Sequence, residues 1–241
     1  VSNNLANMNT TSYMRRRTEF HDLLYQNLRR VGSTSSDAGT VVPSGVQIGL
    51  GVKLAAVYRI HAQGNLTATD NTFDLAIQGN GFFEITKPDG TTAYTRDGTF
   101  QMNGSGELVT HDGFTVAGGI SVPEDAIDVT VNSSGEVLAK IQGQVALSNV
   151  GQIQLATFPN PAGLQAEGGN MFTETAASGA ATTSTAGSAG VGSILQGFLE
   201  TSNVNAVEEI SNLISAQRAY EMNSKVIQTS DEMMGTLTQM R

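Results

Sequence analysis

The sequence predicts a mixed α and β fold in which terminal α-helices pair as a coiled coil, with one central antiparallel β domain and an extended arm between. Three observations predict this architecture. Residues 203–240 carry a helical apolar pattern without proline, and the middle of the chain alternates short apolar runs with Asp-Gly and Ser-Gly turn pairs. A Ser-, Thr- and Gly-rich segment precedes those runs.

Residues 1–30 are predicted to form an N-terminal helical segment that pairs with residues 200–241. Leu5 and Met8 share a helical face with Val1, and Asn and Thr residues then interrupt the pattern. Residues 18–28 resume either a helical or an extended pattern, and apolar spacing alone leaves that alternative open. Because the chain opens inside this pattern and without an initiator Met, we expect an upstream part of the helix to be missing.

Residues 31–65 are predicted to form the extended arm. The stretch GSTSSDAGTVVPSGVQIGLG is rich in small and polar residues, so it has no core of its own. Residues 52–61 then alternate in a way that is typical of a strand.

Residues 66–199 are predicted to form the β domain, because turn pairs recur at short spacing between apolar runs. The turn pairs are Asp89-Gly90, Asp97-Gly98, Asp112-Gly113 and Ser134-Gly135. The segments Gly49-Leu50-Gly51 and Gly79-Asn80-Gly81 lack the third glycine and the following helix of a dinucleotide-binding loop, so we interpret them as hairpin glycines. The low-complexity residues 176–192 are predicted to be a flexible connector or exposed loop.

The C-terminal pattern is the clearest helix signal in the chain. Ser202, Asn203 and Asn205 are candidate N-caps, and two glutamates follow in the first turns, where the helix dipole favours acidic side chains. Apolar side chains recur every seven residues in two adjacent columns, which indicates packing along another helix. The columns are Leu213, Tyr220, Ile227 and Met234, and Ala219, Val226, Met233 and Met240.

Composition excludes several classes of protein. The net charge of −9 opposes binding to nucleic acid, and the absence of cysteine removes disulfides and thiolate sites. A basic cluster at residues 15–17 and 29–30 is interpreted as a solvated face. His21, His61 and His111 have no metal-ligand spacing, and no nucleophile motif or paired carboxylate stands out. We therefore predict a non-enzymatic protein without cofactor or metal.

Two terminal segments resemble the signatures of bacterial flagellar rod and hook subunits. The first, residues 1–26, contains the run NNLAN followed by Thr10, and the second, residues 199–234, contains SNVN, then EE, then QRAYE. The central segments IQGNGFFEI and AYTRDGTFQMNGSGELVTHDGFTV resemble the β domain of the same family. The family usually has a glycine where this chain has Ser12, so the geometry of that turn is an open question. Within the family, the segments DLLYQ, PSGVQIGLGV and HAQGNL are most similar to subunits of the distal rod.

The resemblance implies a structural subunit that polymerises into a rigid helical tube and transmits torque across the periplasm to the hook. It implies self-assembly with proximal rod proteins, hook protein, P-ring and L-ring proteins, the type III export apparatus and a rod cap, and terminal segments that are mobile before assembly. The alternatives are a proximal rod or hook subunit, or an exported adhesin or tail-tube-like module. A cell-wall hydrolase would need an acid/base site, and none is evident.

The predicted assembly residues lie in both terminal segments, and the predicted arm residues would make the rod stiff. The assembly residues are Asn3, Asn4, Leu5, Asn7, Ile210, Leu213, Gln217, Tyr220, Val226, Ile227 and Met234. The rod-specific arm residues are Pro43, Gly45, Gly49 and Gly51.

Overall fold

The computed structural model describes residues 1–30, 32, 44–144 and 146–239. These residues form a mixed α and β fold, as predicted, which is mostly β with one long C-terminal helix. The predicted coiled coil of terminal helices is not seen among the described residues, because the N-terminal helix spans only Ser2–Ala6. The helices are α1 (Ser2–Ala6) and α2 (Ala206–Gln239), and a short 3-10 helix spans Pro161–Gly163. The strands are β1 (Arg16–Asp22), β2 (Tyr25–Arg29), β3 (Val46–Gly49), β4 (Val52–Arg59), β5 (Leu66–Ala68), β6 (Leu75–Gln78), β7 (Phe82–Thr86), β8 (Thr92–Thr95), β9 (Phe100–Met102), β10 (Leu108–Thr110), β11 (Thr115–Val116), β12 (Ala126–Val131), β13 (Glu136–Ile141), β14 (Ser148–Gln152), β15 (Gln154–Thr157), β16 (Gln165–Gly168), β17 (Met171–Thr173), β18 (Thr182–Thr185), β19 (Ser193–Gln196) and β20 (Phe198–Glu200).

The chain divides into two compact units. One comprises Val1–Arg15 together with Ile60–Arg241, and the other is Arg16–Arg59. The prediction of a helical segment over residues 1–30 is wrong beyond Ala6, because β1 and β2 occupy most of residues 16–29. Main-chain hydrogen bonds to partner strands stabilise the extended form of this segment. The spacing of apolar residues within the segment could not predict them, because one of the partner strands lies far along the chain.

The unit Arg16–Arg59 is a two-stranded antiparallel ribbon. β1 pairs with β4, with an irregularity between Glu19 and Phe20, and β2 pairs with β3. The predicted extended arm therefore contains two paired strands, β3 and β4, and β4 agrees with the strand predicted over residues 52–61. The segment Gly49-Leu50-Gly51 joins β3 to β4 along the same side of the ribbon, so its interpretation as a hairpin turn is wrong. Pro43 lies outside the described residues.

The remaining strands form the β body, in which every strand pair is antiparallel over the described residues. A nine-stranded sheet contains the path β16-β17-β8-β7-β11-β10-β9 together with β15 and β18, and β12, β13 and β14 form a second sheet. The other pairs are β19 with β6 and β20 with β5. Apolar residues of these strands form the main core, in which Phe83 and Ile153 are fully buried and Phe100 packs edge-on against Phe83. Alternation of apolar and polar residues along short strands thus produces the core that the sequence predicts.

Two turn interpretations in the body are corrected by the structure. Gly79-Asn80-Gly81 connects β6 to β7, but β6 pairs with β19 and β7 pairs with β8, β11 and β15, so it is not a hairpin. Gly98 has ordinary backbone angles, and a Cβ atom there would lie 1.6 Å from the carbonyl oxygen of Leu75. The glycine is required by close packing of two chain segments, not by a tight turn.

The small-residue stretch 176–192 is ordered by the body. β18 pairs with β15 through all four of its residues, and the Ser178 side chain is fully buried. The prediction of a flexible connector is therefore wrong, because small side chains allow this segment to add an edge to the nine-stranded sheet. No helix within the described residues has the length and apolar character needed to cross a membrane.

Candidate assembly surface

Helix α2 extends for 34 residues, about 50 Å at 1.5 Å per residue. Asn205 caps it, since its Oδ1 accepts the backbone N–H groups of Val207 and Glu208 at 3.0 and 3.3 Å. Continuous helix formers and the absence of proline carry it from there to Gln239. The predicted helix of residues 203–240 thus has nearly the predicted bounds.

Most of α2 has no covering element among the described residues. The heptad residues Tyr220, Ile227 and Met234 are 78%, 63% and 67% exposed, and Val226 and Met233 are also exposed. Ile210 and Gln217 are exposed as well, whereas Leu213 is half-buried. Met240 lies outside the described residues. A soluble helix normally buries its apolar stripe, so this surface is unfinished in the single chain.

The N-terminal asparagines are bound within the chain. Asn4 is buried, and its Nδ2 donates to Oε1 of the buried Glu209 on α2 at 2.8 Å. Asn3 accepts the Tyr13 hydroxyl at 2.6 Å, and Nδ2 of Asn7 donates to the Asn3 carbonyl at 2.8 Å. Leu5 is half-buried. The NNLAN motif therefore holds the turn after α1 and joins it to the base of α2.

A buried ion pair stands where the N-terminal segment, the body and the C-terminal segment meet. Nε of Arg96 donates to Glu200 at 2.6 Å, and its other nitrogens donate to carbonyls of Ile77, Gly79 and Gly81. The Arg96 charge is thus neutralised and its donors are largely satisfied. The sequence carried no signal for this pair, because its members lie on β20 and on a loop 104 residues away.

Ser12 lies at the same meeting point and adopts a left-handed backbone conformation, with φ of 55°. Its N–H donates to the Glu200 carbonyl and its hydroxyl donates to the Arg96 carbonyl, both at 2.8 Å. Glycine adopts this conformation most readily. The two hydrogen bonds hold the serine in this left-handed turn, where glycine would meet less steric resistance.

The ribbon exposes one apolar face. The β1–β4 register places Phe20 opposite Leu54 and Asp22 opposite Val52 on the same face, with Val57 two pairs along the ribbon from Leu54. Phe20, Val52, Leu54 and Val57 are each more than half exposed, and we call these four residues the ribbon apolar face. The opposite face carries charged and polar residues, including Lys53.

Hydrogen bonds to carboxylates raise the pKa of both ribbon tyrosines. Glu19 accepts the Tyr58 hydroxyl at 3.0 Å, and this bond, with lesser effects of burial and charge, raises the tyrosine pKa. A hydrogen bond to Asp22 likewise raises the pKa of Tyr25. Both tyrosines therefore stay neutral, as hydrogen-bond donors, throughout the physiological pH range.

The arm glycines that the structure describes lie on or beside the ribbon strands. Gly51 has φ of 111°, which a side chain rarely adopts, and a Cβ atom on Gly49 would lie 3.3 Å from the ring of Tyr25. Gly45 precedes β3. Two of the glycines thus serve the local backbone path and the packing of the ribbon.

A cavity of about 530 Å³ in the body is lined by Met14, His61, Phe82, Arg96 and Phe158, among others. Its cationic residue is Arg96, which already pairs with Glu200. Within the part of the chain that the structure describes, no three His, Asp or Glu side chains are grouped closely enough to hold a metal ion. The feature that distinguishes this molecule is therefore its exposed apolar surface on α2 and on the ribbon.

Comparisons with known proteins agree with the terminal signatures. A family model described as the flagellar hook protein FlgE/F/G D1 domain matches residues 76–139, and one described as the flagellar basal body rod FlgEFG protein C-terminal region matches residues 195–240. The flagellar basal-body rod protein FlgG of Caulobacter vibrioides is 55% identical over 241 residues, covering 100% of this chain and 92% of that protein.

Two further relatives carry the same name at lower identity. FlgG of Agrobacterium fabrum is 49% identical over 233 residues, covering 97% of this chain and 89% of that protein. FlgG of Bacillus subtilis is 37% identical over 246 residues, covering 100% and 92%. The chain therefore belongs to the FlgG family of flagellar basal-body rod proteins, which confirms the predicted resemblance to the structural subunits of the distal rod.

Proposed function

We propose that this distal rod subunit polymerises with copies of itself into a rigid helical tube that transmits torque across the periplasm to the hook. The observation that carries the proposal is the exposed apolar stripe of α2, which runs along a helix about 50 Å long. Copies joined head to tail by a rotation that does not close generate such a tube.

The terminal segments form the inner wall in this proposal. α2 pairs as a coiled coil with helix from the N-terminal segment and packs against neighbouring copies through Leu213, Tyr220, Ile227 and Met234, with Ile210, Gln217 and Val226 beside them. The contact between α1 and α2 at Asn4 and Glu209 supports this pairing at the base of α2. Asn3, Leu5 and Asn7 act by holding the turn that leads into the pair.

Folding and polymerisation are coupled in this scheme. Beyond Leu213, α2 has no covering element among the described residues, so its apolar stripe gains a partner only on addition to the growing tip. Mobility of this segment before assembly would discourage polymerisation in the wrong place.

The arm supplies stiffness, together with the strands β1 and β2 that pair with its strands β4 and β3, and its characteristic residues are Pro43, Gly45, Gly49 and Gly51. The ribbon apolar face offers contacts that resist bending of the rod. The distribution of charge supports such contacts. Arg16–Arg59 contains six Lys or Arg and three Asp or Glu, which gives a formal charge of +3. The rest of the chain contains seven Lys or Arg and nineteen Asp or Glu, which gives −12. Opposite net charges favour contact between the ribbon of one copy and the remainder of another.

The further partners are the proximal rod proteins, the hook protein, the P-ring and L-ring proteins, the type III export apparatus and the rod cap. The acidic bulk of the chain disfavours nucleic acid as a partner. The role is structural, without catalysis or cofactor.

Electron cryotomography of cell envelopes from a strain lacking this gene tests the function. An axle that stops partway across the periplasm, with no hook, is the expected result. A complete rod that lacks only its hook would instead assign the chain to the hook, and intact flagella would refute an axial role and favour an adhesin-like module.

A shortened arm tests the stiffness proposal separately. A strain in which residues 46–59 and their partner strands are removed should assemble an axle that bends as the hook does. A straight, fully stiff rod in that strain would contradict the role of the arm while leaving the role of α2 intact.

A further inference from the structure

The five residues 201–205 lie between β20 and α2 and belong to neither helix nor strand. A link of this length can pivot unless its side chains are bound to the body. Thr201 bonds the Asn65 carbonyl through its backbone N–H at 2.8 Å. The direction in which α2 leaves the body therefore depends on what holds the remainder of the link, in addition to the bond between Asn4 and Glu209 at the base of the helix.

Asn203 makes three side-chain hydrogen bonds to backbone groups that are distant in sequence. Its Oδ1 accepts the Arg15 N–H at 2.7 Å, and its Nδ2 donates to the carbonyls of Ile60 and Ala62 at 2.9 and 2.8 Å. Its own N–H donates to the Tyr13 carbonyl at 3.3 Å. One amide thus ties the link to two chain segments that are 188 and 141 to 143 residues away.

Asn205, two residues further on, provides the contrast. Among the described residues, its side chain bonds the N–H groups of Val207 and Glu208, within the first turn of its own helix. Both asparagines belong to the SNVN motif and both were candidate N-caps. Asn205 starts the helix, whereas Asn203 connects that start to the body.

We propose that Asn203 is a positioning residue that fixes the direction of α2 on the β body, so that force applied to the body reaches the helix without a pivot. The claim that Asn203 fixes the direction of α2 concerns the isolated chain. The claim that force reaches the helix without a pivot rests on the proposed rod function. The amide is needed for its chemistry as well as its size, because one acceptor faces an N–H and two donor hydrogens face carbonyl oxygens.

Pulsed electron paramagnetic resonance on the full chain measures the direction of α2. The chain has no cysteine, so Ser211→Cys near the base of α2 and Ile127→Cys on the exposed face of β12 accept spin labels without competition. The distance distribution between the labels should be narrow in the otherwise unchanged chain. Asn203→Ala and Asn203→Asp should broaden it, whereas Asn205→Ala should leave it narrow.

Asn203→Asp separates hydrogen bonding from packing. Aspartate has nearly the shape of asparagine, so a site that needs only that shape would accept it. A carboxylate would instead face two carbonyl oxygens without a hydrogen to donate, and should broaden the distribution at least as much as alanine. A narrow distribution in Asn203→Asp, or a broad one in the unchanged chain, would overturn the proposal.

Hydrogen exchange provides a second readout if a variant is unstable. The Arg15 amide should exchange roughly five- to tenfold faster in Asn203→Ala, as expected for loss of one hydrogen bond of about 1 kcal/mol. Amides of β7 and β13, in the core of the body, should keep their rates. Unchanged exchange at Arg15 would overturn the proposal, and neither result depends on whether the chain forms a rod.

Discussion

The β body and helix α2 contain similar proportions of apolar residues, but the body buries its apolar side chains and α2 exposes them. In the body, Phe83, Leu155 and Ile194 are at most 1% exposed, whereas on α2 Tyr220 and Met234 are 78% and 67% exposed. The body buries its apolar side chains against its own chain, whereas the exposed apolar side chains of α2 have no covering element among the described residues. The contrast shows a body with a buried core beside a helix whose apolar stripe is exposed, and this exposure is what the proposed assembly interface would cover.

The largest effect is expected from a charge in the stripe of α2. Ile227→Asp places a carboxylate where the proposed neighbour would bury an apolar side chain, so rod assembly and swimming in soft agar should be lost. The thermal unfolding of the isolated chain should not change, because Ile227 is 63% exposed there.

Gln228→Asp is the matched control, since it adds the same charge on the neighbouring residue outside both heptad columns. It should assemble and swim. Equal loss of motility in both variants would show that the stripe does not define the interface.

Phe83→Ala should destabilise the β body, the other region in the comparison. Phe83 is fully buried and packs against Phe100 with ring centroids 5.1 Å apart. Removing it leaves a cavity in the core and should lower the free energy of unfolding by about 3–5 kcal/mol in urea titrations. A loss below about 1 kcal/mol, the range expected for an exposed site, would contradict a finished core.

Glu200→Ala should destabilise the meeting point of the terminal segments by about 3 kcal/mol, because it leaves the buried Arg96 charge without its partner. Denaturant titration measures the loss. The double variant Glu200→Ala with Arg96→Met should recover part of it, since no buried charge then remains. Equal stability of the single and double variants would show that the ion pair is not the cause.

Asn205→Ala should have the smallest effect, about 1 kcal/mol on the stability of α2, because it removes only the helix cap. Helical circular dichroism of the isolated chain should fall slightly while the unfolding of the body stays the same. Loss of body stability in this variant would show that helix and body are less independent than the burial indicates.

Much of the fold and of the candidate surface could be predicted from local patterns. The bounds of α2 follow from the heptad columns and from the absence of proline, and those of many body strands follow from turn pairs such as Asp89-Gly90. Both signals lie within a few residues of the element they specify. The family signatures are equally local, so membership could be read from short runs such as NNLAN and SNVN.

Features that depend on distant partners could not be predicted in this way. β1 has too weak a pattern of its own to be distinguished from a helix, and its partner β4 lies some thirty residues away in the chain. Gly98 looks like a turn residue until the Leu75 carbonyl is placed against it. Asn203 looks like a helix cap until Arg15 and Ile60 are brought within hydrogen-bond distance.

By itself, therefore, the sequence determined that this protein has a turn-rich β body, a long amphipathic C-terminal helix and the terminal signatures of a flagellar axial subunit. Only the tertiary structure decided that residues 16–29 form strands, that stretch 176–192 adds an edge to the main sheet, and that Ser12 of the N-terminal turn meets Arg96 and Glu200. The physical reason is the distance along the chain over which each interaction acts. Periodicity and turn chemistry act between near neighbours, whereas strand pairing, buried ion pairs and close backbone contacts join residues that only folding brings together.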